Sequence, residues 1–125
     1  MEIPSDICVI WPLTFLDCRS LREVLIPEGV ELIGQSSFQG TSIKRIRIPS
    51  TVTAIQPGAF RCCRKLCEIE FAVDSQLRSI GGHAFERCDI TEFRAPKRLE
   101  VLGEEAFAKC PKLQRVFLND GLRAI

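Results

Sequence analysis

Five phenylalanines recur along the chain, at Phe15, Phe38, Phe60, Phe85 and Phe107, in steps of 23, 22, 25 and 22 residues. Each brings the same neighbours with it. A small residue precedes four of them (Ser37, Ala59, Ala84, Ala106), and Cys18, Thr41, Cys63, Cys88 and Cys110 follow three positions on. Self-similarity at a fixed period means a stack of like units, because one unit this short cannot bury its own apolar side. We number the units coils 1 to 5 by their phenylalanine. Residues that recur in every coil are explained by packing, which removes most candidates for catalysis.

The rest of each coil follows the same grammar. An aliphatic residue comes next (Leu21, Ile43, Leu66, Ile90, Leu113), then an apolar one (Val24, Ile46, Ile69, Phe93, Val116), then a third (Ile26, Ile48, Phe71, Ala95, Leu118), followed by proline at Pro27, Pro49 and Pro96. Further slots hold Val30, Val52, Leu77, Leu99 and Leu122, then Ile33, Ile55, Ile80, Leu102 and Ile125, with glycine after three of them at Gly34, Gly81 and Gly103. Ile3-Pro4, Ile7 and Ile10 fit the same slots, so the chain is expected to be a single domain over residues 1–125, about five coils, opening and closing in mid-repeat. Coils 2 and 4 are one residue short between the thiol slot and the aliphatic, and coil 3 gains two residues around Asp74 and Ser75. A period in the low twenties suits a leucine-rich-repeat solenoid and is too short for ankyrin, TPR or propeller units.

The segment ending in Ile-Pro alternates apolar with polar, which predicts a strand with one buried face. Proline stops it by lacking an N–H for the ladder. Stacked coils are expected to bring these strands into a parallel sheet, roughly 4.8 Å apart. The Val-x-x-Ile-Gly segment reads as a second, shorter extended stretch, with glycine allowing a tight corner or a positive φ. The phenylalanine segment reads as a turn or a single helical turn, its ring stacked on the ring of the next coil. The expected fold class is thus a mostly β solenoid, with short turns or single helical turns opposite the sheet.

Composition narrows the partners. Seventeen basic against sixteen acidic residues leave a net charge of +1, with no global pull toward nucleic acid or an anionic membrane. No stretch has the length of a membrane-spanning helix. Met1-Glu2-Ile3-Pro4 has neither a basic n-region nor an apolar h-region, so no signal peptide is read. Four of seven cysteines share one slot with Thr41, which favours buried thiols over a disulfide framework. Cys67 lies outside that slot and is expected to be the reactive thiol.

Motifs for chemistry are missing. Cys62, Cys63, Cys67 and His83 do not have the spacing of zinc knuckles, and His83 reads as a surface polar residue. There is no phosphate-cradling glycine loop and no nucleophile elbow. The expectation is no enzyme, no metal and no cofactor.

The sheet's outward face is the candidate site. Alternation sends two columns to solvent: Glu23, Arg45, Glu68, Glu92 and Arg115, and Leu25, Arg47, Glu70, Arg94 and Phe117. Two runs alternate in sign, Arg47–Glu70–Arg94 and Glu23–Arg45–Glu68, and are expected to offset one another across strands. The plain reading is a solvated charged face, each exposed pair worth about 0–1 kcal/mol. The functional reading is a mixed-charge recognition surface with apolar flanks, a composition that suits protein partners. Its central glutamates disfavour nucleic acid. The ends supply a second surface, since Ile3, Ile7 and Trp11 at one and Leu118, Leu122 and Ile125 at the other do not look like polar caps. Contact between copies through the ends is the alternative function.

The strings Ile26-Pro27-Glu28-Gly29-Val30, Ala59-Phe60-x-x-Cys63-x-x-Leu66 and Ile80-Gly81-x-x-Ala84-Phe85-x-x-Cys88 resemble the BspA-like leucine-rich-repeat family. The likeness runs from Ile3 to Ile125, with departures at Phe71-Ala72, Gln56-Pro57 and Trp11. It implies a non-enzymatic adhesion or protein-binding module, exposed on a cell surface or secreted, whose partners are host-cell or matrix proteins. The unread signal peptide keeps a cytoplasmic location as the alternative. The family supplies no fixed binding residues.

Overall fold

The computed structural model describes residues 2–122. Nine short strands follow in order: β1 (Val9–Ile10), β2 (Leu32–Ile33), β3 (Arg45–Ile48), β4 (Ala54–Ile55), β5 (Glu68–Phe71), β6 (Ser79–Ile80), β7 (Glu92–Arg94), β8 (Val101–Leu102) and β9 (Arg115–Phe117). All pairings are parallel, one coil to the next. The chain is therefore a parallel-strand β-solenoid.

The continuous sheet is made by the smaller extended segments. Strands β1, β2, β4, β6 and β8 form one sheet in that order, with Ile10, Ile33, Ile55, Ile80 and Leu102 in register. The recurrent glycine beside it serves close approach. A Cβ on Gly34, Gly81 or Gly103 would stand 2.4, 2.4 and 2.3 Å from backbone atoms of the preceding coil. None of the three has a positive φ, so the expected conformational role gives way to a steric one.

The phenylalanine corner forms a third line of contact. At each junction the N–H of phenylalanine donates to the residue before the next phenylalanine: Phe15 to Ser37, Phe38 to Ala59, Phe60 to Ala84 and Phe85 to Ala106, at 2.7–2.8 Å. Inside, four ring pairs stack with centroids 5.2, 5.2, 5.3 and 5.5 Å apart and planes within 16° of parallel. Phe38, Phe60 and Phe85 are fully buried. The corner is a turn; no helical turn occurs among the described residues. Its geometry shows why. The residues two before and two after each phenylalanine all have positive φ: Leu13, Ser36, Gly58, His83 and Glu105 on one side, and Asp17, Gly40, Cys62, Arg87 and Lys109 on the other. A right-handed helical turn cannot accommodate two left-handed residues.

The thiol slot packs behind the rings. Cys63 and Cys88 are buried and Cys110 is half-buried, and all seven cysteines are free. Each of the three donates its S–H to the phenylalanine carbonyl of the preceding coil, Cys63 to Phe38 at 3.0 Å, Cys88 to Phe60 at 3.2 Å and Cys110 to Phe85 at 3.1 Å. Burial pushes all three thiols up from their ordinary value.

Candidate protein-binding face

The sheet expected from the Ile-Pro segments is present only in part. Among the described residues β3 pairs with β5 and β7 with β9, β5 and β7 do not pair, and the strand of coil 1 shows a bridge from Glu2 to Leu25. The breaks follow coil length. From a short coil to a longer one, the ladder opens at the residue after the aliphatic: Cys67 N–H donates to Lys44 at 2.9 Å and Gln114 N–H to Thr91 at 2.8 Å. From a longer coil to a short one, the contact slips one place earlier, Ser42 N–H to Leu21 at 2.9 Å and Asp89 N–H to Leu66 at 2.8 Å. Alternate residues of a strand turn their backbone groups to opposite sides, so a slip of one residue removes the matching partners. The one-residue shortenings of coils 2 and 4 thus fall at the corners and decide where the sheet parts.

Each break opens a cleft on the face. Between coils 1 and 2 it measures about 710 Å³ and is bordered by Arg22, Glu23, Leu25, Lys44 and Arg45. Between coils 3 and 4 it measures about 380 Å³ and is bordered by Glu70, Phe71, Glu92, Arg94 and Lys97. Phe71 meets Phe93 edge-on beside the second break, centroids 6.1 Å apart.

The two outward columns are placed as follows. Across the paired strands Arg45 stands 3.6 Å from Glu68, and Arg47 stands 3.9 Å from Glu70 and 3.8 Å from Glu28. All of these groups are substantially exposed, so each pair contributes little to stability. The expected continuation from Glu70 to Arg94 is interrupted by the break. Arg94 instead pairs along its own strand with Glu92 at 2.8 Å, and its guanidinium lies 4.1 Å from the centre of the Phe117 ring. Leu25 and Phe117 are exposed at the two ends of their column, and Glu23 and Arg115 are exposed at the ends of the other. Glu28 is held below its ordinary value by hydrogen bonds from the Ser50 hydroxyl and N–H.

At the N-terminal end Ile3, Ile7 and Trp11 border an apolar hollow of about 250 Å³, and Trp11 is 72% exposed. At the other end Val116, Phe117 and Leu118 are exposed and Leu122 is half-buried. Ile125 lies outside the described residues.

One cluster escaped the sequence reading. Glu86 is buried at the phenylalanine corner, bonded to His83 Nδ1, with Arg61 at 3.4 Å and Arg87 at 3.6 Å from its other oxygen. The His83 hydrogen bond, helped by Arg61, holds its carboxyl below the ordinary 4.5 in spite of burial. His83 is therefore half-buried and engaged, where a free surface position was expected. Glu105 approaches it at 3.5 Å, and the three side chains present ligand-type atoms within 4.8 Å of one another. Two guanidiniums already neutralise Glu86. Neighbouring coils carry Gln39, Arg61 and Ala108 in that slot, so only a cross-coil charge count could have flagged it.

The model of the BspA type leucine rich repeat region matches residues 1–125, in six copies. The chain belongs to the BspA-type leucine-rich-repeat family. Solved structures agree with this. The pneumococcal vaccine antigen PcpA matches with a TM-score of 0.88 and 25% identity, over 96% of this chain and 30% of that one. A leucine-rich repeat protein of Bacteroides ovatus gives 0.83 and 25%, over 97% and 31%. The T. pallidum leucine-rich repeat protein gives 0.71 and 26%, over 94% and 51%. This BspA-type chain thus spans about a third of the first two and half of the third. No curated protein matches it. Among the described residues no helix is long and apolar enough to cross a membrane.

Proposed function

We propose that this BspA-type solenoid is a non-enzymatic protein-binding module of adhesion type, and that its partner docks on the strand face between Leu25 and Phe117. What carries the reading is the composition of that face: arginine and phenylalanine side by side at Arg94 and Phe117, mixed charge at Arg45, Glu68, Arg47 and Glu70, and clefts at both breaks. Arginine and aromatic residues are the side chains that most often dominate protein interfaces. A place on the cell surface belongs to the same proposal, and the likeness to a vaccine antigen supports it. The test is charge reversal. Replacing Arg45, Arg47 and Arg94 by glutamate is expected to abolish binding to a purified partner captured from host-cell extract and identified by mass spectrometry. Undiminished binding would refute the assignment to this face.

A second reading is favoured by the exposed Trp11 and the apolar hollow beside Ile3 and Ile7. Copies would stack end to end, the N-terminal end of one on Leu118 and Leu122 of the next. Polar substitutions at Leu118 or Leu122 are then expected to lower the sedimentation coefficient at high concentration, and the three arginine changes are not.

A further inference from the structure

The missing residue of coil 2 leaves a notch at the corner between the phenylalanine turn and the strand face. Coil 1 has Arg19-Ser20 between the thiol slot and the aliphatic, and coil 3 has Arg64-Lys65; coil 2 has Ser42 alone. The notch measures about 370 Å³, with Gly40, Thr41 and Ser42 along its floor and Arg19, Arg64 and Lys65 on its walls. Among the described residues none of these three cations has an ion-pair partner. Asp17 also lines the notch and stands over Gly40, where an added Cβ would meet its Oδ1 at 2.3 Å. Three cations against one carboxylate leave a local excess of positive charge.

Coil 4 repeats the shortened corner with an acidic residue in it. It too is one residue short, and its single residue is Asp89. The two sites share their backbone geometry: Ser42 N–H donates to Leu21 at 2.9 Å, and Asp89 N–H donates to Leu66 at 2.8 Å. The lysine one coil on, Lys112, reaches Asp89 Oδ2 at 3.1 Å across 23 positions. Lys65 stands in that same relation to Ser42, but finds a hydroxyl that is turned away and donating to the Arg19 carbonyl at 2.6 Å. Coil 4 thus pairs the acid of its shortened corner with the lysine of the next coil, and coil 2 has no acid at that position, its one carboxylate, Asp17, standing on the Gly40 side of the notch.

We propose that the coil 2 notch is a docking point for an acidic side chain, Asp or Glu, of an extended protein segment, which takes the place that Asp89 holds in coil 4. This deepens the protein-binding reading and rests on it, while using residues apart from the strand-face columns. A sulfated polysaccharide fits less well, since Asp17 within the notch and Glu23 and Glu68 on the adjoining face break any continuous run of cations. Arg19 and Arg64 occupy equivalent slots two coil steps apart, with ring spacings of 5.2 Å per step, so an anion on the floor would sit between two guanidiniums and beside an ammonium.

The test is an NMR titration of the whole chain with a short capped peptide of alternating glutamate and serine, beside its glutamine counterpart and a heparin fragment. The glutamate peptide is expected to shift the amides of Thr41, Ser42, Arg64 and Lys65 saturably, and the glutamine peptide is not. Ser42→Asp copies the coil 4 arrangement, so it is expected to keep the fold and weaken the peptide by about tenfold. Lys65→Gln is expected to act in the same direction, and Arg98→Gln, on another surface, to leave it unchanged. Equal response to both peptides, shifts confined to other residues, response to heparin alone, or full binding by a folded Ser42→Asp protein would each overturn the proposal. The triple arginine reversal on the strand face is expected to retain these shifts, so failure there and failure here are separate results.

Discussion

At the residue scale, the column of phenylalanines makes the largest individual contribution. Removing a fully buried ring from the middle of the stack, Phe60→Ala, leaves a cavity between two aromatic neighbours and is expected to cost about 3–5 kcal/mol in chemical denaturation. That column was legible, because nothing but packing repeats an aromatic ring at a fixed step. Glu86 was not legible, because its role depends on Arg61 and His83 meeting it across coils. Glu86→Gln is expected to cost about 1–3 kcal/mol near neutral pH, as the charged bonds weaken around half-exposed partners. The sign is fixed by the lowered carboxyl. Stabilisation is complete above the unfolded value and is lost as pH falls through the folded one, so the difference between the two proteins must shrink on acidification. A pH-independent difference would assign the effect to shape alone. The thiols divide likewise. Cys8, Cys18 and Cys67 are exposed, while Cys63 and Cys88 are buried and hard to ionise. A thiol reagent is expected to label the first three in the native protein and Cys63 and Cys88 only after unfolding.

At the scale of elements, the phenylalanine corner and the strand face behave differently. Every corner repeats two left-handed residues, yet only Gly40 and Gly58 among the ten are glycines. Lys109→Gly is expected to raise stability by up to about 1 kcal/mol, since the backbone strain relieved exceeds the entropy of the added glycine. The turn itself could be read from spacing, but its left-handed pairs could not, because arginine, glutamate and histidine give no sign of them. The strand face was half legible. Alternation found which residues point outward, while the corner indels, which looked like harmless loop variation, decide which strands join. Amide exchange checks this: in β3 and β5 the amides that face the partner strand are expected to be protected, and that of Val24, beside the first break, to exchange faster.

For the whole molecule, repetition made the architecture readable, and repetition is also why a candidate site is hard to single out. Slots that recur report packing; function must lie where coils differ, and a single chain gives few differences to compare. The Asp89–Lys112 pair became informative only once the backbone put it in register with Ser42 and Lys65.

The alternation of long and short coils gives the molecule a grain. Coils 2 and 3 are laced together on the strand face, as are coils 4 and 5, and the seam between those doublets is held there by fewer bonds. A pull applied along the stack would find that seam or its counterpart between coils 1 and 2 first, so the mechanical unit of this solenoid is a pair of windings.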